Sequence, residues 1–218
     1  MRSPWAGPED DLDRTLATED DEALVLRYSR GDVTGFEALL DRHGVGVLRF
    51  LARFVGDRSR AEDLAQDCWM RVIAAAPRWQ ERARFKTWLY TIARNLAVDD
   101  ARRAVHRHHR SLDALVSGGS GWELPADGRR SPEELADDAL VRPALERAIA
   151  LLPPEQREVL LLREYEGIPF AEIAEITGAP VPTVKSRMRY ALEALRRSLG
   201  DLDVLPGPAP GATRSVRS

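Results

Sequence analysis

The sequence predicts an all-α protein: two small helical domains joined by a flexible linker, the C-terminal one containing a helix-turn-helix. Three observations carry this prediction. Apolar residues recur at helical spacing from Asp21 to about Arg107 and again from Ser131 to Leu199. Residues 111–131, SLDALVSGGSGWELPADGRRS, are rich in Gly and Ser and lose that period. Ile168–Leu199 reads as a short helix, a tight turn and a longer basic helix.

Residues 1–20 are acidic and carry Pro4, Gly7 and Pro8, which predicts a disordered tail. Leu24, Val25 and Tyr28 suit a short helix closed by Gly31. Asp32 is placed to cap a second helix with Phe36, Leu39, Leu40, Val47, Leu48 and Leu51 on its core face. Gly56-Asp57 ends it, and Ser59 with Glu62 reads as the capping box of a third helix. That helix buries Leu64, Cys68 and Val72, with Trp69 and Ile73 beside them, and turns Asp63, Gln66 and Asp67 away from that side. Cys68 reads as core. Pro77 ends the helix.

The segment PRWQERARFKTWLY crowds Trp79, Phe85, Trp88 and Tyr90 with Arg78, Arg82, Arg84 and Lys86. Aromatics among cations suit single-stranded nucleic acid, on which bases stack and phosphates pair. Trp88 continues into a core stripe with Leu89, Ile92 and Leu96. Trp79 and Phe85 fit either core or base-stacking roles. The helix from about Thr87 carries a second, polar face with Asn95, Asp99, Arg102 or Arg103, His106 and Arg110, fit to lie on DNA. The histidines of HRHHR lack a thiolate or acid to complete a tetrahedral set, so no metal is expected.

Beyond the linker, Ser131-Pro132-Glu133-Glu134 is a helix start, Pro143 kinks or splits that helix, and Pro153-Pro154 opens the next. Phe170, Ile173, Ala174 and Ile176 then form an apolar face before Gly178 and Pro180. The last helix opens near Pro182, with Val184, Met188, Leu192, Leu195 and Leu199 inward and Thr183, Lys185, Ser186, Arg187, Arg189 and Tyr190 left outward or flanking. Such a helix is the DNA reader of a helix-turn-helix. From about Gly200 the chain is Pro/Gly-rich and reads as a second disordered tail, 200–218.

The net charge of −3 at first argues against a nucleic-acid partner, but it is unevenly spread. Residues 1–22 carry eight acids against Arg2 and Arg14, a net −6, and residues 111–138 carry seven against Arg129 and Arg130, a net −5. The rest of the chain is therefore at +8. Local field, not the total, governs phosphate binding. A single cysteine, no long apolar run and no leader-like start lead to the expectation of a cytoplasmic protein with no membrane insertion.

Three stretches in this order, AEDLAQDCWMRV, FKTWLYTIARNLAVDDARR and LPPEQREVLLLREYEGIPFAEIAEITGAPVPTVKSRM, resemble bacterial extracytoplasmic-function (ECF, group IV) sigma factors of the sigma-70 family. The resemblance spans about Asp21 to Leu199. It implies sigma region 2 over 21–110, a linker over 111–131 and sigma region 4 over 132–199. It implies that Asp63, Gln66 and Asp67 contact the clamp coiled coil of the largest subunit of core RNA polymerase, with the beta subunit as a further contact. Trp79, Arg84, Phe85, Lys86, Asn95, Asp99, Arg102 and Arg103 would serve the −10 element as melted single strand. Thr183, Lys185, Ser186, Arg187, Arg189 and Tyr190 would read the −35 element as duplex promoter DNA. An anti-sigma factor is a further expected partner. Asp67 stands where Glu is commoner, Pro182 where many relatives have Gly, and Arg189-Tyr190 where some carry an aromatic followed by Arg.

The competing reading is a conventional helix-turn-helix regulator that binds duplex DNA without polymerase. It leaves the aromatic-basic segment and the acidic linker unexplained. No nucleophile–base pair, phosphate loop or ligand set points to an enzyme, and no cofactor is expected.

Overall fold

The computed structural model describes residues 19–79, 83–110 and 142–200, excepting the side chains of 104–110. The expectations for both tails, the linker and the helix start at Ser131 lie outside the described residues. Helix α1 spans Asp21–Ser29, α2 Val33–Val55, α3 Arg58–Ala75 and α4 Phe85–Arg110. Residues 142–150 form α5; α6 (Pro154–Leu160) runs on as a π turn, Leu161–Tyr165; α7 is Phe170–Thr177 and α8 Val181–Gly200.

The local chemistry explains these boundaries. Asp20 accepts a hydrogen bond from the Ala23 N–H at 2.7 Å and starts α1. Asp32 accepts from the Thr34 N–H at 3.1 Å and starts α2. The α1–α2 corner is tight because Gly35 lies against α1; a Cβ there would stand 2.4 Å from the Leu24 carbonyl oxygen. Asp21 ties the same two helices, 2.7 Å from His43 Nε2 and 2.8 Å from Arg42 Nη1. Burial pushes its carboxyl up, and the bonds from His43 and Arg42 more than offset this, holding it below the ordinary carboxylate range.

The start of α3 corrects the sequence expectation. The cap is Asp57, whose carboxylate accepts from the Arg60 N–H at 2.8 Å. Ser59 lies within the first turn, and Glu62 pairs with Arg58 at 2.7 Å instead of closing a capping box. The cause is Gly56, whose left-handed φ of 76° ends α2 and leaves Asp57 in the extended conformation that an N-cap needs.

Two expected core residues are also corrected. Leu40 and Leu192 are 39% and 38% exposed. On α2 the inward stripe passes through Leu39, Val47, Phe50 and Leu51, and on α8 through Val184, Met188, Ala191 and Leu195. Each misplaced leucine is one residue, about 100° of helical turn, off its stripe. Cys68 is fully buried core, its thiol pushed up to about 12 by burial.

The halves do not stay apart. One continuous apolar core runs from Leu24, Phe50 and Tyr90 through Ile149, Leu161 and Ile173. Helix α4 packs on α7, and α2 packs on the π turn and α6. Arg157 adds a polar tie, donating to the Phe54 carbonyl of α2 at 2.7 Å and to the Leu152 carbonyl at 3.0 Å. A cation among the free carbonyls at helix C-termini is favourably placed.

Candidate nucleic-acid interface

Helices α7 and α8 form the expected helix-turn-helix. Gly178, at φ 68°, closes α7 in the left-handed region that favours glycine. The Pro180 carbonyl then accepts from the Thr183 and Val184 N–H groups and opens α8. Pro182 sits in that first turn, where its missing N–H leaves no helical bond unmade.

Lys185, Arg189 and Tyr190 project outward from α8. The Arg189 guanidinium lies 4.9 Å from the Tyr190 ring centroid, so the two present one cationic-aromatic surface. Thr183 and Ser186 are half-buried, and the Ser186 hydroxyl donates to the Thr183 carbonyl at 2.9 Å. Arg187 turns inward instead, 3.5 Å from Oε1 of buried Glu158. Arg196, exposed eleven positions beyond Lys185, extends the basic face; a search along the helical period would have found it.

On α4, Asn95, Arg102 and Arg103 are exposed and Asp99 is half-buried along one side. His106 and Arg110 fall among the side chains outside the description. Asp100, adjoining this ridge, is buried and takes Arg60 of α3 at 2.6 Å, which fixes α4 against α3. Trp79 is half-buried, its ring centroid 6.5 Å from that of Trp88. Arg84 remains open, its side chain 77% exposed.

Phe85 is a correction. Its side chain is fully buried, wedged between His43 and Trp88 at centroid distances of 5.6 and 5.9 Å. Its N–H donates to the Glu22 carboxylate at 2.7 Å. The ring opens α4 and plugs the α1–α2 corner, so no base can stack on it without unpacking the core. Lys86 is turned to the C-terminal half, its ammonium donating to the Glu166 carbonyl at 2.6 Å.

The third surface is on α3, where Asp63, Gln66 and Asp67 are exposed together. Met70, 57% exposed, continues that face seven residues after Asp63. The sequence reading passed over it, although its spacing was the signal. Among the described residues, no helix is long and apolar enough to cross a membrane.

The chain as a whole is similar to known proteins. The family Sigma-70 region 2 matches residues 39–107, and the family Sigma-70, region 4 matches residues 142–195. The chain is 33% identical over 191 residues to the RNA polymerase sigma-H factor of Pseudomonas aeruginosa, covering 86% of this chain and 97% of that protein. It is 31% identical over 182 residues to the ECF RNA polymerase sigma factor SigW of Bacillus subtilis, covering 82% and 96%. The chain belongs to the extracytoplasmic-function group of sigma-70 factors.

This sigma factor shares its fold with the sigma factor RpoE of Bartonella quintana, solved with the anti-sigma factor NepR. The TM-score is 0.63 at 24% identity, over 76% of this chain and 96% of that one. The region 2 match runs from Leu39 on α2 through α3 and most of α4, and the region 4 match takes in α5, α6, α7 and all but the end of α8. As an ECF sigma factor it directs transcription initiation by RNA polymerase and is not itself an enzyme.

Proposed function

We propose that this sigma factor reads a promoter in two physical states. Lys185, Arg189 and Tyr190 of α8, with Thr183, Ser186 and Arg187 flanking, dock the −35 element as duplex in the major groove. Trp79, Arg84 and Lys86, with the Asn95, Asp99, Arg102 and Arg103 ridge, hold the −10 element as a melted strand. Extruding a base costs a few kcal/mol of unstacking. Stacking on an aromatic returns about 1–3 kcal/mol per base. Sequence at −10 is thereby read as melting energy.

Asp63, Gln66 and Asp67 of α3 bind the clamp coiled coil of core RNA polymerase, with the beta subunit as a second contact. An anti-sigma factor restrains the protein by competing for that face, and the protein acts in the cytoplasm. The observation that carries this reading is the joining, in one chain, of an outward basic α8 to an α4 whose exposed polar ridge begins beside the Trp79–Trp88 pair.

In vitro transcription with core polymerase on host genomic fragments tests it. Discrete starts that require the protein are expected, with two upstream elements on alignment. Specific retention of duplex fragments by the protein alone, without new starts, would favour a conventional regulator.

A further inference from the structure

We propose that Arg60 is a positioning residue for the melted strand: from the turn of α3 that begins the polymerase-binding face, it holds buried Asp100 and so fixes where α4 leaves the body of the protein with Asp99, Arg102 and Arg103. The inference rests on the −10 reading above and adds to it a residue outside the strand site. Arg60 Nε and Nη2 both donate to Asp100 Oδ1, at 2.8 and 2.6 Å. The Asp100 side chain is 7% exposed and that of Arg60 35%. The remaining nitrogen, Nη1, stands 3.7 Å from Asp63 Oδ2. One planar guanidinium thus reaches the first acid of the α3 face and the carboxylate beside the α4 ridge. A rigid fork holds both directions at once, whereas a lysine ammonium is a point charge on a flexible stem.

Asp100 is where the packing of α4 stops. Leu96, Ala97 and Asp100 are buried, whereas Ala101, Arg102 and Arg103 are all exposed. Among the described residues, no side chain of α4 after Asp100 is buried. A helical segment without tertiary packing is marginal in water. With Asp100 released, the last buried side chain would be Ala97, about 4.5 Å further back along the helix axis. Asp99, Arg102 and Arg103 would then all lie on the unpacked length, while Asn95, beside buried Leu96, would stay held.

Stability alone does not account for this pair. Aspartate is a poor helix former, and a buried carboxylate is unfavourable unless it is paired. Well-packed apolar residues in place of a buried ion pair are often no less stable. Apolar contact, however, is non-directional. Two N–H groups on one carboxylate oxygen set both a distance and an angle, which is what a projecting arm needs in order to keep its course.

The test uses the full chain with core polymerase and a promoter found in the transcription assay above. Asp100→Asn keeps the shape and drops the charge; Arg60→Lys keeps the charge and drops the fork. Each should hold core polymerase within about twofold of wild type, since Asp63, Gln66 and Asp67 are intact. Each should open the promoter about tenfold less, read as permanganate reactivity of the −10 thymines, an effect of the size found within one side-chain network. The deciding readout is selective non-additivity. Arg102→Ala with Arg103→Ala should cost little more once Asp100→Asn is present, whereas Trp79→Ala should keep its full effect on that background. A pair that served stability alone would make no such distinction. Full additivity of the arginine changes with Asp100→Asn, or normal opening by both folded variants, overturns the proposal. If the arginine changes are silent in the wild-type background, the strand reading fails at those positions, and the second arm judges the anchor without it.

In the second arm, nitroxides on Glu62→Cys and Arg103→Cys report the distance between α3 and the end of the α4 ridge by pulsed electron spin resonance; buried Cys68 does not compete for label. A narrow distribution is expected with Arg60 and Asp100 in place, and a broader one with either variant. An unchanged width overturns the proposal. If Asp100→Asn does not fold, Arg60→Lys, which leaves every charge in place, decides. Failure of both to fold would make the pair a stability element and overturn the proposal as well.

Discussion

Replacing Gly46 with alanine should weaken the fold, whereas the same change at Gly44, two residues earlier on α2, should strengthen it. Both glycines lie inside a helix, where alanine is favoured by up to about 1 kcal/mol. Their surroundings decide the sign. A Cβ on Gly44 would stand 3.4 Å from Leu40 Cδ1, the end of an exposed side chain that can turn aside. A Cβ on Gly46 would stand 2.9 Å from the Tyr90 hydroxyl and 3.1 Å from Glu166 Oε2. Neither group yields easily, since the Tyr90 ring is fully buried and the carboxylate is bonded to it. Losing a hydrogen bond to a charged group costs about 1.5–3 kcal/mol. Set against the propensity gain of about 1 kcal/mol, Gly46→Ala should lose roughly 0.5–2 kcal/mol. Gly44→Ala should gain up to about 1 kcal/mol. Urea denaturation reads both as midpoint shifts at constant slope. If Gly46→Ala raised the midpoint as far as Gly44→Ala does, the Tyr90–Glu166 seam would be absent from the protein in solution.

Phe85→Ala should cost about 3–5 kcal/mol of stability as a large-to-small core change. Trp79→Ala should cost less and reduce promoter opening, followed as permanganate reactivity of the −10 thymines; a destabilised Trp79→Ala with normal opening would remove Trp79 from the strand site. Asp57→Ala should cost about 1 kcal/mol as a lost N-cap. Ser59→Ala should stay within about 0.5 kcal/mol, and the reverse order in thermal melts would restore the capping box. Burial raises the Glu158 carboxyl above the ordinary glutamate value of 4.5, against the pull of Arg94. The folded state therefore holds this proton more tightly than the unfolded chain, and stability from this group falls as pH rises through the window just above 4.5. Glu158→Gln should flatten that slope in melts across the window; an unchanged slope would mean that Glu158 does not titrate there.

Much of the fold was legible along the chain because its signals are local. Asp32 ahead of a periodic run, Pro77, Gly178 with Pro180, and Pro154 at a first helical position each act within one or two turns of helix. The helix-turn-helix was legible for the same reason, since turn glycine, inward Val184 and basic face lie in one stretch. The errors are local too, but finer than periodicity resolves. Leu39 and Leu40, or Ala191 and Leu192, differ by one position, and only the neighbouring helices select which faces inward. Ser59 and Asp57 are both good caps, and the left-handed turn at Gly56 chose between them.

By itself, then, the sequence determined an all-helical chain with a region 2 and a region 4, the acidic face of α3 and the outward Lys185, Arg189 and Tyr190. Tertiary structure decided what no spacing encodes. It put Phe85 into the core between α1, α2 and α4, where the sequence allowed a base-stacking role. It turned Arg187 toward Glu158, and it brought Glu158, Glu166 and Glu172 against Arg94, Tyr90, Thr87 and Arg84 across more than sixty positions of chain. Helical period reports which residues share a face, because that follows from 3.6 residues per turn. Which face meets which depends on how separate helices pack, and that is settled only when the whole core closes.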